Sequence, residues 1–205
     1  MEVRDNDYLL MKLYKSLLGK AVSLLEDGRA DIKTESGSIR AFFCLPGEAV
    51  QVRPQTRRKG YLYGEIENIL EASPDRLISP PCKYAQQCGG CAWQFISYPR
   101  QLAFKLALIN QAFSNFSLPY SLTEITPAKE LFYYRNRMDY VFGPNGELGL
   151  KAPGKWFSYL DLDECHLLSP EASKLLATVG KLTRENNLPC YNPKNGRGCY
   201  RYLVI

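Results

Sequence analysis

Cys82-Lys83-Tyr84-Ala85-Gln86-Gln87-Cys88-Gly89-Gly90-Cys91 is the densest run of chemistry in this 205-residue chain. Another cysteine, Cys165, comes much later, in Asp163-Glu164-Cys165-His166. A thiolate group with glycines inside it is a cage. The ligand type favours an iron–sulfur cluster, whose irons take Cys and little else. Wrapping a short loop around a cluster turns NH groups inward, so Gly89 and Gly90 are expected at positive φ, which costs glycine nothing. Inward NH groups would also hydrogen-bond the sulfurs. Cys165 would tie a distant strand to the loop.

Other readings of the cysteines stay open. Zinc takes the same ligands, usually paired two to four residues apart, and only Cys88 and Cys91 are so spaced. His166 is the only histidine; next to Cys165 on a strand, it is not expected to face the same metal. The spacing is one residue from that of plant-type two-iron sites, so a two-iron cluster is the second choice and a four-iron cluster the first. Disulfides fit poorly with an odd count of 7 cysteines and no secretory signal. Cys44, Cys190 and Cys199 are scattered and read as small buried hydrophobes.

Composition sets wide bounds. The length allows one or two domains. No stretch approaches a membrane span, and with no signal peptide the expectation is a cytoplasmic protein. The net charge of +5 is mildly basic. Its distribution says more: Arg53, Arg57, Arg58 and Lys59 form one knot, and Arg135 and Arg137 another, flanked by Tyr133, Tyr134 and Tyr140. Cations supply phosphate affinity and aromatic rings offer stacking faces to unpaired bases. An ordinary solvated loop and sheet face remain the alternative.

Outward from the cysteines, the chain divides. Leu9, Leu10, Leu13, Leu17 and Leu18 have the period of a helix face. Turn signals at Glu26–Arg29, Glu35–Ser38 and Leu45–Glu48 then separate short alternating runs at Ala30–Lys33, Ile39–Cys44, Ala49–Arg53 and Tyr61–Ile69. Short strands at this spacing predict a small OB-like barrel. Ala72–Pro81 reads as a linker. After the cysteine loop, Ser97 and Pro99 open a helix to about Asn115. Its apolar residues lie nearly all round, as in a buried helix. Tyr134–Tyr140 and Trp156–Leu162 read as strands beside a Pro144-Asn145-Gly146 hairpin turn and Leu148–Lys151. Ser169-Pro170 opens a second helix with the stripe Leu175, Leu176, Val179 and Leu182. Tyr200–Ile205 reads as an unpaired terminal strand. The Gly196-x-Gly198 pair follows no strand and opens no helix, so it is discounted as a cofactor loop.

These residues resemble a family. Gly28-Arg29-Ala30 followed by Leu45-Pro46-Gly47-Glu48 is similar to a TRAM domain, an OB-like RNA-binding barrel. Cys82-x5-Cys88-Gly-Gly-Cys91 with Cys165 resembles a four-iron cluster site. Tyr134-Arg135-Asn136-Arg137 and Leu148-Gly149-Leu150-Lys151 resemble the central sheet. The family is the RNA 5-methyluridine methyltransferases that carry both features, of the 23S rRNA (uracil-5-)-methyltransferase type.

The resemblance implies a mostly β fold with α: a TRAM barrel over 1–74, then an α+β central domain over 75–205 with an antiparallel sheet and an iron–sulfur loop. It implies that Cys82, Cys88, Cys91 and Cys165 bind a 4Fe–4S cluster, and that Arg57, Arg58, Lys59, Arg135, Arg137 and Lys151 contact RNA, 23S rRNA by family type. The helix over 98–115 would pack on a methyltransferase domain absent from this chain. The S-adenosylmethionine pocket, nucleophilic cysteine and base would lie in that domain, leaving this chain inactive alone and its own cysteines without a catalytic role. Self-association through that helix and the strand over 200–205 is a further expectation. The competing classes are a stand-alone RNA-binding adaptor with iron–sulfur or zinc, and a redox carrier.

Overall fold

The computed structural model describes residues 15–205. They fall into two compact units: the chain through Ser79 joined by Phe95–Ile125, and Pro80–Gln94 joined by Thr126–Ile205.

The first unit is a closed barrel of β1 (Leu17–Leu24), β2 (Ala30–Thr34), β3 (Gly37–Ala41), β4 (Ala49–Arg58) and β5 (Tyr61–Glu71), in the order β1-β2-β3-β5-β4. All its pairings are antiparallel except β3 with β5. This is the small five-stranded barrel that the turn spacing predicts. Ala21, Ala30, Ile32, Ile39, Ala41, Val50 and Val52 fill it from alternate positions. Leu17 and Leu18 are strand residues, not helix, and Leu18 is exposed; Leu9, Leu10 and Leu13 lie outside the described residues. Gly28 and Gly47 take positive φ at the turns on either side of β2 and β3.

The expected linker does more than connect. Leu77 N donates to Phe95 O (2.8 Å), Ser97 N donates to Asp75 O (3.1 Å), and Arg76 pairs with Glu48. These bonds group α1 (Tyr98–Asn115) with the barrel rather than with the cysteine loop, so the unit boundary differs from a single break at residue 74. Pro99 opens α1 as expected, but Ser97 makes no side-chain cap bond. No residue of α1 is buried, contrary to its all-round apolar pattern.

The second unit holds a three-stranded sheet, β7 (Leu148–Gly149), β6 (Asp139–Phe142) and β8 (Tyr202–Val204), in that order, with α2 (Pro170–Glu185). The hairpin turn is present, with Gly146 at φ 89° and its N bonded to Gly143 O. Three expectations change. Tyr134–Arg137 is irregular because Tyr133 N and Arg135 N donate to His166 O and Leu167 O rather than to a strand. Trp156–Leu162 makes ladder-like bonds to Leu150 and Leu148 but no continuous strand. The terminal strand is not unpaired, since β8 pairs with β6 through Tyr140 and Leu203. In α2, Ser169 caps the first turn by accepting from Ala172 N, and the buried face is Leu176, Gly180 and Thr183, while Leu175 and Leu182 are exposed. Among the described residues no helix is long and apolar enough to cross a membrane.

Candidate thiol cage and nucleic-acid surface

Cys82, Cys88, Cys91 and Cys165 line one cavity within the second unit. The loop is shaped by short-range bonds: Ala85 N to Cys82 O (3.0 Å), and Gln87 N (3.1 Å) and Cys88 N (2.9 Å) to Tyr84 O. The left-handed residue of the loop is Gln86, at φ 67°, and neither Gly89 nor Gly90 has positive φ. The glycines are needed for another reason. A Cβ on Gly89 would meet the Lys151 carbonyl oxygen at 2.7 Å, and one on Gly90 would meet Leu150 Cδ1 at 2.9 Å. Close backbone approach, not a special dihedral, selects glycine here.

Polar groups already turn toward the sulfurs. Gly90 N donates to Cys88 Sγ (3.4 Å) and Gln94 Nε2 to Cys91 Sγ (3.8 Å), while Gln94 Oε1 accepts from Cys82 N (3.2 Å). Cys165 is held from the other side by Ser173, whose Oγ accepts from Cys165 N (3.1 Å) and donates to Cys165 O (3.0 Å). Asp163 ties the two cysteine-bearing segments: Lys83 Nζ and Tyr84 Oη both donate to its carboxylate at 2.8 Å. Those bonds, Lys83 first, hold the Asp163 carboxyl below its ordinary range.

Electrostatics shows what the cage lacks. Burial pushes the Cys82 and Cys88 thiols up, and burial with the neighbouring Cys88 pushes Cys91 up to about 11. Arg135 pulls Cys91 the other way. Several thiolates this close need positive charge among them. Tyr140 adds a second sign of incompleteness. Its hydroxyl is buried beside the Cys165 sulfur without a hydrogen bond of full geometry. Burial, then Cys165 and Cys88, push its phenol up. Four thiols are a donor set that zinc and iron–sulfur groups both take. As the side chains stand, no group of three His, Cys, Asp or Glu among the described residues is arranged to hold a metal ion.

His166 also lines the cavity, and Cys165 opens a turn, its O accepting from Leu168 N (3.3 Å), rather than sitting on a strand. Phe132 packs edge-on to His166 at 5.8 Å. Among the remaining cysteines, Cys44 is buried, Cys190 half-buried, and Cys199 exposed, contrary to expectation.

Beside the cage, Arg135, Arg137 and Lys151 come together around an open cleft of about 640 Å3, walled in part by Gly89 and Gly90. Gly89 N donates to Lys151 O (3.0 Å), joining the loop to the cleft floor. Arg137 Nε reaches Asp139 (3.1 Å) and Arg135 Nη1 reaches Met138 Sδ (3.1 Å). Tyr133 and Tyr134 are exposed as stacking faces must be, whereas Tyr140 is core. Arg57, Arg58 and Lys59 lie at the β4–β5 hairpin of the first unit. Sequence reasoning missed a set of rings and guanidiniums on that barrel. Arg29 Cζ lies 4.0 Å from the Phe42 centroid and 4.9 Å from that of Tyr63. Arg40 Cζ lies 3.4 Å over Tyr61.

Known proteins resemble the chain in sequence and fold. No family model matches it. An uncharacterized RNA methyltransferase of Nanoarchaeum equitans is 37% identical over 169 residues, which is 82% of this chain and 36% of that protein. The tRNA (uracil(54)-C(5))-methyltransferase of Pyrococcus abyssi is 28% identical over 163 residues, 80% of this chain and 38% of that one. The crystal structure of Pyrococcus abyssi tRNA (uracil-54, C5)-methyltransferase in complex with S-adenosyl-L-homocysteine superposes with a TM-score of 0.69 at 23% identity, covering 91% of this chain and 42% of the other. The last comparison speaks to fold alone. The chain is thus a homologue of RNA methyltransferases, spanning 36% to 38% of the length of these curated relatives.

Proposed function

We propose that this chain is the RNA-binding and cluster-binding portion of an S-adenosylmethionine-dependent RNA uracil-C5 methyltransferase. The observation that carries it is the convergence of four thiols, from a loop and a distant turn, on one cavity beside a cationic cleft. Cys82, Cys88, Cys91 and Cys165 would hold a 4Fe–4S cluster. When bound, the cluster supplies a covalent tie between loop and turn and the positive charge that the thiolates need. Gly90 N and Gln94 Nε2 donate to sulfur, while Ser173 and Asp163 hold the two segments in register.

Arg135, Arg137 and Lys151 would take RNA phosphates at the cleft, with Tyr133 and Tyr134 offering faces to unpaired bases. No methyl-transfer role is assigned to the residues of this chain, which on this reading would bind RNA without methylating it. The half-buried apolar face of α1, with Ile109 exposed, would pack on the catalytic part of such an enzyme or on a second copy. The Pyrococcus abyssi relative is a tRNA (uracil(54)-C(5))-methyltransferase; 23S rRNA is the substrate class of the resemblance.

Anaerobic reconstitution followed by iron and sulfide analysis, then binding to tRNA and to 23S rRNA fragments, tests this reading. Iron and sulfide in equal amounts, about four of each per chain, with RNA binding, are expected. A chain that takes up zinc but neither iron nor sulfide, or that binds neither RNA, overturns it.

A further inference from the structure

One residue that is not a cysteine reaches both segments that carry the cysteines. Tyr84 follows Cys82 by two positions, precedes Cys88 by four, and lines the cage. Its carbonyl oxygen accepts from Gln87 N (3.1 Å) and Cys88 N (2.9 Å), which closes the turn that presents Cys88. Its NH serves the other neighbour. Burial pushes the Cys82 thiol up, and backbone hydrogen bonds from Tyr84 and Ala85 pull it back. The ring is half-buried and packs against the core cluster that includes Cys165.

The Tyr84 hydroxyl then crosses to the second segment. It donates to Asp163 Oδ1 (2.8 Å) and accepts from Asp163 N (3.3 Å). Asp163 stands two residues before Cys165. A phenol can give one proton and also receive, and here it does both toward one residue. Phenylalanine could do neither. Lys83 Nζ grips the same carboxylate, but both partners of that ion pair are exposed, and such pairs add little. At the far end of the loop, Gly89 N bonds to Lys151 O (3.0 Å). The hydroxyl therefore anchors the Cys82 end.

We propose that Tyr84 is the positioning residue of the thiol cage: its backbone sets Cys82 and Cys88, its hydroxyl holds the segment of Cys165, and together they govern how long a bound metal group is retained. This rests on the metal-binding part of the reading above and adds a residue outside the ligand set. The physical reason is the split of the ligands. Cys82, Cys88 and Cys91 lie on one loop and Cys165 on a turn far along the chain, so a metal group is lost when either segment moves off. Segments already held at the right spacing need no ordering when the group binds. Groups that orient metal ligands from outside the coordination sphere change affinity about 10- to 100-fold when removed.

The test is iron release from the anaerobically reconstituted 205-residue chain, followed as loss of sulfur-to-iron absorption in excess ferrous-iron chelator. Tyr84→Phe, Asp163→Ala, their double variant and Lys83→Ala are compared with wild type, with melting temperatures as the check on folding. Tyr84→Phe and Asp163→Ala should each release iron about 10- to 100-fold faster. The double variant should be no faster than the faster single one, because both changes remove the same bonds. Lys83→Ala should stay within about fivefold of wild type. Release from Tyr84→Phe at the wild-type rate overturns the proposal. So do effects that multiply in the double variant, as a general loss of stability would give. If Tyr84→Phe does not fold, Asp163→Ala, at an exposed position, carries the test: release at the wild-type rate overturns the proposal. A wild type that takes up zinc alone overturns the iron–sulfur reading and leaves this one, read then as zinc release to a chelator. A wild type that takes up no metal overturns both.

Discussion

The carboxylate of Glu48 and the guanidinium of Arg76 meet two-on-two, Nε to Oε1 at 2.6 Å and Nη2 to Oε2 at 2.7 Å, with Glu48 fully buried. Glu48 also accepts from Leu45 N (2.8 Å) and Ser73 N (3.1 Å), and Arg76 donates to Phe43 O (2.8 Å) and stacks on Phe95. The pair joins the β3–β4 turn to the segment that leads out of the barrel. Glu48→Gln leaves a buried guanidinium without its counter-charge and should cost about 3–5 kcal/mol, read by urea denaturation. Burial raises the Glu48 carboxyl, but the Arg76 bond and the two backbone donors outweigh it and bring it below the ordinary value of 4.5. A folded value below the unfolded one means stability present above that pH and lost as pH falls through the folded value. Wild type should therefore lose stability below about pH 4.5, and Glu48→Gln should lose this component of the acid dependence.

The glycines of the cysteine loop differ in what surrounds them. Gly89 faces a backbone carbonyl at 2.7 Å, which cannot turn away, whereas Gly90 faces a Leu150 methyl at 2.9 Å, which can. Gly89→Ala should break the Gly89–Lys151 bond and lower the melting temperature clearly more than Gly90→Ala. Equal melting temperatures for the two variants would show that the loop moves freely from the cleft floor.

How much of this was legible in sequence depends on where the signal lies. The first barrel turns announce themselves, because Gly28, Gly37 and Gly47 sit where φ is positive. The cage is legible because cysteine is rare and its spacing short. Tyr133–Arg137 misleads because alternation reports side-chain facing, not backbone partners. Tyr133 stands at φ 59° and its NH goes to His166 O. The buried stripe of α2 misleads because Thr183 is buried once its Oγ1 donates to Val179 O (2.7 Å), while Leu182 points outward. The ring–guanidinium array is invisible in sequence, since Arg29, Arg40, Phe42 and Tyr61 come from separate segments and meet only when the barrel closes.

At the cleft, Asp139 holds Arg137 at 3.1 Å and offsets its charge. Arg137→Ala and Arg135→Ala should each weaken RNA binding and reduce the salt slope by about 1. Asp139→Asn should act in reverse and tighten binding, since it frees Arg137 for phosphate. Anisotropy titrations over a range of salt decide this; an unchanged slope in the arginine variants would remove them from the set of phosphate contacts.

Tyr140 gives a prediction whose sign depends on cluster occupancy. Its buried hydroxyl lies beside the Cys165 sulfur without a hydrogen bond of full geometry. Removing an unsatisfied buried hydroxyl is neutral or stabilising, by about 1–2 kcal/mol, so Tyr140→Phe should match or exceed wild type in melting temperature. In the proposed cluster-bound form the sulfur of Cys165 would accept from that hydroxyl, and hydrogen bonds to cluster sulfurs tune both potential and lability. The reconstituted variant should then bleach faster in air than reconstituted wild type and show a lower reduction potential. A variant that is less stable without metal, yet holds its cluster as wild type does, would place the hydroxyl in packing alone.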